Sequence, residues 1–78
     1  MDPERNRIRR MVEEQLPGHT VVFEDDDEDN NIRFQIKDSA GNIITLGKPA
    51  FHRGEIRKWS DSDLRALIRF VCGGKIPQ

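Results

Sequence analysis

The sequence is poor in the residues that usually stabilise small secreted domains. Among its 78 residues it has one cysteine, Cys72, no tyrosine, four phenylalanines and one tryptophan. A single cysteine excludes an intramolecular disulfide and argues against a cysteine-based metal site. Small secreted domains commonly carry several disulfides. The composition therefore favours a reducing compartment, and we expect a cytoplasmic protein.

Long apolar runs are also missing. No stretch approaches the roughly 20 apolar residues that a helix needs to cross a bilayer, and the charged start MDPERNRIRR lacks the apolar segment of a signal peptide. Charged residues make up 35% of the chain, and its mean hydropathy is -0.75. Leu, Ile, Val and Phe still total 20 of 78 residues, above the fraction typical of disordered chains. We expect one small ordered domain over residues 1–78, without membrane contact.

The net charge of -1 hides an asymmetry along the chain. Residues 1–29 contain four arginines against ten acidic residues, a net charge of -6. Residues 30–78 contain nine lysines or arginines against four acidic residues, a net charge of +5. Such polarity can create a charged binding face, or the fold can bring the two halves together and cancel them.

The first segment has the signals of an amphipathic helix. Asp2-Pro3 is a favourable N-cap and first-turn pair, and Pro17-Gly18 predicts the end of the helix. Apolar residues recur at helical spacing between these signals. They are Ile8, Met11, Val12 and Leu16.

Two strands and a hairpin follow. Thr20–Glu24 is rich in β-branched residues, and residues 32–37 alternate strictly between apolar and polar side chains, which is typical of a half-buried strand. Between them, the acidic loop 24–31 is expected to be solvated because its charges repel one another. Asp38–Asn42 predicts a turn, and Ile43–Leu46 predicts a third strand.

The last third has an irregular segment followed by a second helix. Residues 47–58 are interrupted by Gly47, Pro49 and Gly54, with a short edge strand expected near Glu55–Arg57. Ser60 begins a capping box, and glycines 73 and 74 are expected to end the helix. Its apolar stripe consists of Leu64, Leu67, Ile68 and Val71. The predicted fold is α+β, in the order α-β-β-β-α, with a three-stranded antiparallel sheet packed on one face by two amphipathic helices.

Sites for metals, cofactors or catalysis have weak signals. Asp25, Asp27 and Asp29 have the alternating spacing of a calcium loop, but the glycine and the bidentate glutamate of that motif are missing. The two histidines have no ligand spacing that predicts zinc binding. Cys72 falls beside the apolar stripe, where cysteine behaves as a small hydrophobe. We therefore expect no metal, no cofactor and no enzymatic activity, and no small-molecule substrate is evident.

Two aromatic residues indicate a protein interface. Trp59 occupies the position of a hydrophobic staple before the second helix, so core packing competes with a role as an interface anchor. Phe70 lies around the helix from Ile68, towards Ala66, and is expected to be partly exposed. Strand alternation also forces one of residues 43 and 44 outward. An apolar patch of this kind often binds a protein partner or a second copy of the chain.

The basic second half supports an alternative function. Phosphate binding requires several cations on one face, and the α-β-β-β-α order is shared with double-stranded-RNA-binding domains, as an analogy of topology alone. Asp61 and Asp63, at the start of the second helix, would repel a phosphate there. The candidate nucleic-acid-binding residues are Arg53, Arg57, Lys58, Arg65 and Arg69. The leading hypothesis remains a non-catalytic interaction module that binds a protein, with nucleic-acid binding as the alternative.

Overall fold

The computed structural model describes residues 2–24 and 29–73, which form three helices and three strands. In chain order these are α1 (Pro3–Gln15), β1 (Thr20–Phe23), β2 (Asn31–Lys37), β3 (Ala50–His52), α2 (Arg53–Lys58) and α3 (Asp61–Val71). The α+β class and the three-stranded antiparallel sheet are confirmed. The order is α-β-β-β-α-α, with one more helix than the sequence predicted.

Helix α1 begins and ends where its sequence signals predict. The Asp2 side chain accepts a hydrogen bond from the Arg5 backbone N–H at 3.1 Å, which satisfies one of the free donors of the first turn. Leu16 closes the helix by donating its N–H to the Val12 carbonyl at 2.7 Å, and Gly18 follows with a φ of 84°. The predicted stripe is buried: Ile8, Met11, Val12 and Leu16 are each at most 5% exposed.

Strand β2 is the centre of the sheet, whose order is β1-β2-β3. It pairs antiparallel with β1 through the register Val21–Ile36 and Phe23–Phe34. Its alternation is reproduced in the structure, because Ile32, Phe34 and Ile36 are fully buried while the residues between them are half-buried. The period-two pattern therefore identified the core face correctly.

The prediction of a strand at Ile43–Leu46 is wrong. Only one bridge forms there, between Lys37 and Ile43. Ile44 donates its N–H to the Ile36 carbonyl at 2.9 Å. The Ile36 N–H, however, donates to the side-chain hydroxyl of Thr45 and not to a backbone carbonyl. The ladder therefore ends, and the chain leaves the sheet edge towards α3.

The irregular segment 47–58 contains the true third strand and a helix. β3 pairs with the first half of β2, with Phe51 opposite Ile32. The edge strand predicted near Glu55–Arg57 is wrong, because these residues belong to α2. The His52 ring accepts a hydrogen bond from the Gly54 N–H at 3.1 Å and caps this helix. Ile56 is its buried residue.

Helix α3 follows the predicted pattern and closes the core. The Ser60 hydroxyl accepts from the Asp63 N–H at 3.1 Å, as in a capping box, and Gly73 takes the left-handed conformation expected after a helix, with a φ of 65°. Leu64, Ile68 and Cys72 are fully buried. Gly74 lies outside the described residues.

Aromatic side chains form a continuous row through the core. Phe23 contacts Phe34, Phe34 contacts Phe51, and Phe51 contacts Trp59, with ring centroids 6.2, 5.3 and 5.3 Å apart. The last two pairs meet edge to face, a favourable arrangement of the ring quadrupoles. Trp59 is half-buried and packs against the core. The row thus links β1, β2 and β3 to the start of α3.

Candidate interaction surface

The exposed apolar residues near the end of α3 form the clearest candidate surface. Phe70 is 76% exposed and Leu46 is 64% exposed. Together with Ala66, Arg69 and Gly73 they line an open groove of about 440 Å³. We call these five residues the α3 patch. Its position agrees with the prediction that Phe70 faces solvent on the Ala66 side of the helix.

Leu46 reaches the patch because the chain leaves the sheet after Thr45. Its N–H donates to the carbonyl of Val71 at 2.8 Å, so the backbone is fixed at the last turn of α3. A Cβ at Gly73 would lie 3.3 Å from the Leu46 Cδ1 atom. A side chain at Gly73 would therefore press on Leu46, in addition to the strain of its positive φ. The hydrogen bond to Val71 thus positions Leu46 beside the helix, and the missing side chain at Gly73 leaves room for it. The prediction of a strand at Ile43–Leu46 did not anticipate this position.

Strand alternation was expected to expose one of residues 43 and 44. Ile43 is 48% exposed, whereas Ile44 packs against the core. Val22, on the outward side of β1, is 42% exposed. Neither Ile43 nor Val22 lines the groove. Singly exposed apolar side chains are common on soluble proteins, so these two residues are useful controls rather than part of the candidate surface.

Two of the predicted phosphate-binding arginines lie in an internal ion-pair network. Arg53 forms a bidentate pair with Asp2, with both N–O distances at 2.8 Å, and also contacts Glu4 at 3.4 Å. Arg57 contacts the same Glu4 carboxylate at 2.9 Å. Glu4 is only 5% exposed. Here the acidic first half of the chain and the basic second half neutralise each other.

The hydrogen bond from Arg53 is the main reason why the pKa of Asp2 lies well below its ordinary value of 3.8. Partial burial opposes this shift, and the backbone hydrogen bond from Arg5 supports it. The carboxylate is therefore stabilised in its charged form. Both of its oxygens accept hydrogen bonds from Arg53.

Arg7 links α1 to the junction between α2 and α3 through hydrogen bonds. Its guanidinium donates to the Ile56 carbonyl, to the Trp59 carbonyl at 2.6 Å, and to the Asp61 carboxylate at 3.0 Å. A cavity of about 260 Å³ lies beside it, between α1 and the start of α3. The residues lining this cavity are Pro3, Asn6, Arg7, Arg10, Met11, Glu14 and Asp61. With two arginines and two acidic residues in its lining, the cavity has no excess charge of either sign.

The other predicted phosphate-binding residues have different surroundings. Lys58 and Arg65 are exposed, and neither forms an ion pair with the residues of ranges 2–24 and 29–73. Arg69 is half-buried and lines the α3 patch. The five cations are thus divided between the internal network, the open surface and the α3 patch.

The two described ends of the acidic loop are also paired. Glu24 contacts Lys48 at 2.8 Å, and Asp29 contacts Arg33 at 2.5 Å. These hydrogen bonds are the main reason why the pKa values of Glu24 and Asp29 are lowered. The calcium-like spacing falls largely on residues 25–28, which lie outside the described residues.

Metal-ligating residues do not cluster in the part of the chain that the structure describes. No group of three or more histidine, cysteine or acidic side chains there has the geometry to hold a metal ion. His52 caps α2, and the His19 ring lies 3.3 Å from the Pro17 carbonyl. Cys72 is fully buried in the core. The described helices also include none that is long and apolar enough to cross a membrane.

No family model matches the chain, and neither a curated protein nor a solved structure is significantly similar to it.

Proposed function

We propose that this domain is a non-catalytic protein-interaction module that binds through the α3 patch. The exposure of Phe70 beside an apolar groove is the observation that carries this proposal. Burial of a phenylalanine side chain stabilises a structure by about 1.5–3 kcal/mol. The isolated fold does not gain this energy from Phe70, whereas a partner that covers the ring would.

Regular secondary structure and one backbone hydrogen bond position most of the residues of the patch. Ala66, Arg69 and Phe70 lie on α3, and the Leu46 backbone is fixed by its hydrogen bond to Val71. A rigid surface loses less conformational entropy on binding than a flexible loop does. Arg69 adds a cation at the edge of the groove. The patch thus contains Phe70 and Arg69, and both residue types are enriched in protein interfaces.

The proposal is tested by immobilising the protein and capturing binding partners from an extract of the cells that naturally express it. The wild type is compared with two matched variants. Phe70→Ser removes the exposed ring from the patch. Val22→Ser removes another exposed apolar side chain outside the groove. We expect captured proteins to be lost with Phe70→Ser and retained with Val22→Ser. Equal capture by the wild type and by Phe70→Ser contradicts the α3 patch as the binding surface.

Nucleic-acid binding is the second candidate, and two observations support it. Lys58 and Arg65 are exposed, and the Arg57 side chain is 66% exposed despite its contact with Glu4. The engagement of Arg53 with two carboxylates weakens this candidate, since its donors are already bound. A phosphate-binding face requires several free cations together. We therefore place protein binding first.

A further inference from the structure

We infer that the partner of the α3 patch is a protein with a short acidic segment, which places large apolar side chains in the groove and carboxylates against Arg65 and Arg69. This inference rests on the proposed function, because it uses the same surface and names the chemistry of what binds there. It commits to a segment whose acidic residues lie on one side of its apolar anchors. The arrangement of charges around α3 supports it.

The groove has an aromatic side and a cationic side. Around the helix axis, Phe70 lies about 40° from Ala66, and Arg69 lies about 60° from it in the opposite direction. Ala66 has only a methyl group and Gly73 has no side chain, so both leave space in the groove of about 440 Å³. Leu46 lines the groove next to Gly73. The groove therefore has room for a large apolar side chain between the ring and the guanidinium.

Two arginines on the same side of the helix have no acidic partner. Arg65 and Arg69 are four residues apart and therefore neighbours on the surface of α3. Neither forms an ion pair within residues 2–24 and 29–73, and the Nε of Arg69 is buried there without an acceptor. A guanidinium has several N–H donors and no acceptor, and carboxylates match its geometry. Carboxylates on the partner are therefore the complement of this side.

The unpaired acidic residue Asp63 lies on the other side of the helix. It is about 60° from Ala66 around the axis, in the direction opposite to Arg69. It is also roughly 9 Å from Arg69 along the axis, and it does not line the groove. The charge next to the groove is thus positive on one side only. A segment with its acidic residues on that side avoids repulsion by Asp63.

The cations beside the groove are too few for a membrane surface or a nucleic acid. Segments that bind anionic membranes electrostatically carry about four to eight lysines or arginines, and a phosphate backbone also requires several cations on one face. Arg53 and Arg57 are engaged with Glu4, and Lys58 lies on α2. An acidic protein segment uses both the apolar groove and the two arginines.

Selection from a library of random linear peptides, about 16 residues long and displayed on phage, tests the inference without assuming a sequence. The immobilised full-length wild type selects binders, and Phe70→Ser then removes those that bind outside the α3 patch. We expect the retained peptides to combine large apolar residues with an excess of aspartate and glutamate over lysine and arginine.

A variant with reversed charge should reverse this preference. Arg65→Glu, Arg69→Glu makes the cationic side acidic, and we expect it to retain peptides with an excess of lysine and arginine. Arg10→Glu, Lys58→Glu changes the net charge by the same amount at exposed positions on α1 and α2. This control variant should retain the acidic preference of the wild type.

A neutral variant protects the test against unfolding, because Arg69 is half-buried. Arg65→Gln, Arg69→Gln removes both charges and keeps most of each side chain. We expect it to lose the acidic preference without gaining a basic one. Circular dichroism melts of every variant establish that it is folded.

Fluorescence anisotropy then measures the affinity of a selected acidic peptide. We expect a dissociation constant on the order of 10–100 µM, because one groove buries less than the roughly 800 Å² per partner of stable complexes. An exposed ion pair changes affinity by about 1.5-fold to fivefold. Replacing all acidic residues of the peptide by Asn and Gln should therefore weaken binding about fivefold, but by less than about twofold when the protein is Arg65→Gln, Arg69→Gln.

The outcomes distinguish this inference from the proposed function. Peptides that depend on Phe70 but have no acidic excess overturn the inference, as does an acidic excess that persists with Arg65→Glu, Arg69→Glu. The proposed function survives both results, since the patch still binds protein segments through Phe70. If no peptide depends on Phe70, the inference is overturned, and capture of whole proteins that depends on Phe70 still supports the proposed function. If capture does not depend on Phe70 either, both are overturned.

A membrane surface is tested in parallel with vesicles of phosphatidylcholine that contain about a quarter phosphatidylserine. We expect no cosedimentation of the wild type with these vesicles at physiological salt. Cosedimentation that is lost in Phe70→Ser, together with no peptide that depends on Phe70, would assign the α3 patch to a lipid surface and overturn the inference.

Discussion

Where α1 meets α2, charged side chains are sheltered and paired, whereas on the α3 patch apolar side chains face solvent. Glu4 is 5% exposed and contacts Arg53 and Arg57. Phe70, which has no charge to solvate, is 76% exposed. Each region reverses the usual placement of its residue type.

The difference teaches that the charge asymmetry of the chain serves the fold first. A buried carboxylate is tolerated when cations and hydrogen bonds compensate for its lost hydration, and Arg53 provides both for Asp2 and Glu4. Nothing comparable compensates for the exposure of Phe70 within residues 2–24 and 29–73. The first region links the N-terminal helix to α2 through ion pairs, and the second leaves an apolar surface exposed to solvent.

Among changes to the two compared regions, the largest effect is expected from Arg53→Ala, which breaks the sheltered region. It leaves Asp2 without its bidentate partner and Glu4 with Arg57 alone. Removing one member of a fully buried pair costs about 3–5 kcal/mol. Because Asp2 is only partly buried, we expect a smaller loss, about 1–3 kcal/mol, in the free energy of unfolding. Urea denaturation followed by circular dichroism measures it. Lys58→Ala, at an exposed position of the same helix, should change stability by less than about 0.5 kcal/mol, and a similar small value for Arg53→Ala would show that the network is not stabilising.

A smaller effect should appear as a pH dependence of stability. Because the pKa of Asp2 is lower in the folded state than its ordinary 3.8, the unfolded chain takes up the proton first as the pH falls. The stabilisation is therefore complete above about pH 5 and is lost as the pH falls below 4 and through the folded pKa. Urea denaturation at a series of pH values between 2 and 7 measures this loss.

The Arg53→Ala variant isolates the contribution of Asp2 to that pH dependence. Lowered pKa values at Glu24, Asp29 and Asp38 act in the same direction and remain in the variant. We expect its stability to decline less steeply with acid than that of the wild type. Parallel curves would exclude the Asp2–Arg53 pair as a source of the pH dependence.

A still smaller effect on stability is expected from Phe70→Ser. The ring is mostly exposed, so its loss should change the free energy of unfolding by less than about 0.5 kcal/mol, measured by urea denaturation at micromolar concentration. Phe34→Ala, at a fully buried position of β2, provides the contrast and should cost about 3–5 kcal/mol. A loss above 2 kcal/mol for Phe70→Ser would place the ring in the folded core rather than at a binding surface.

The smallest effect is expected when exposed cations are reversed and nucleic-acid binding is measured. The double variant Lys58→Glu, Arg65→Glu changes two exposed cations without touching the internal network, unlike a change at Arg57. We expect the wild type and the variant to bind labelled duplex RNA equally weakly at physiological salt, with dissociation constants above about 100 µM, by fluorescence anisotropy. Micromolar binding that is lost in the variant would instead establish the basic half as a phosphate-binding surface.

Much of the fold could be predicted because its signals are local. The caps of α1 and α3 act within three residues, and the alternation of β2 spans seven residues without interruption. The exposure of Phe70 followed from the same helical period that buried Ile68. β3 has three residues and α2 has six, which is too short for either to show a clear period. Ile43–Leu46 has the composition of a strand, but the Leu46 N–H bonds to the Val71 carbonyl at the end of α3 rather than to β2.

The sequence by itself determined the ends of α1 and α3, the core face of β2 and the outward direction of Phe70, because these depend on neighbours a few residues away. Only the tertiary structure decided which charged side chains form ion pairs with one another. Glu4 meets Arg53 and Arg57 across about 50 positions of the chain, and Leu46 joins the α3 patch through a contact with Val71. Such pairings depend on how the elements pack, since composition and spacing carry no record of which distant residues come together.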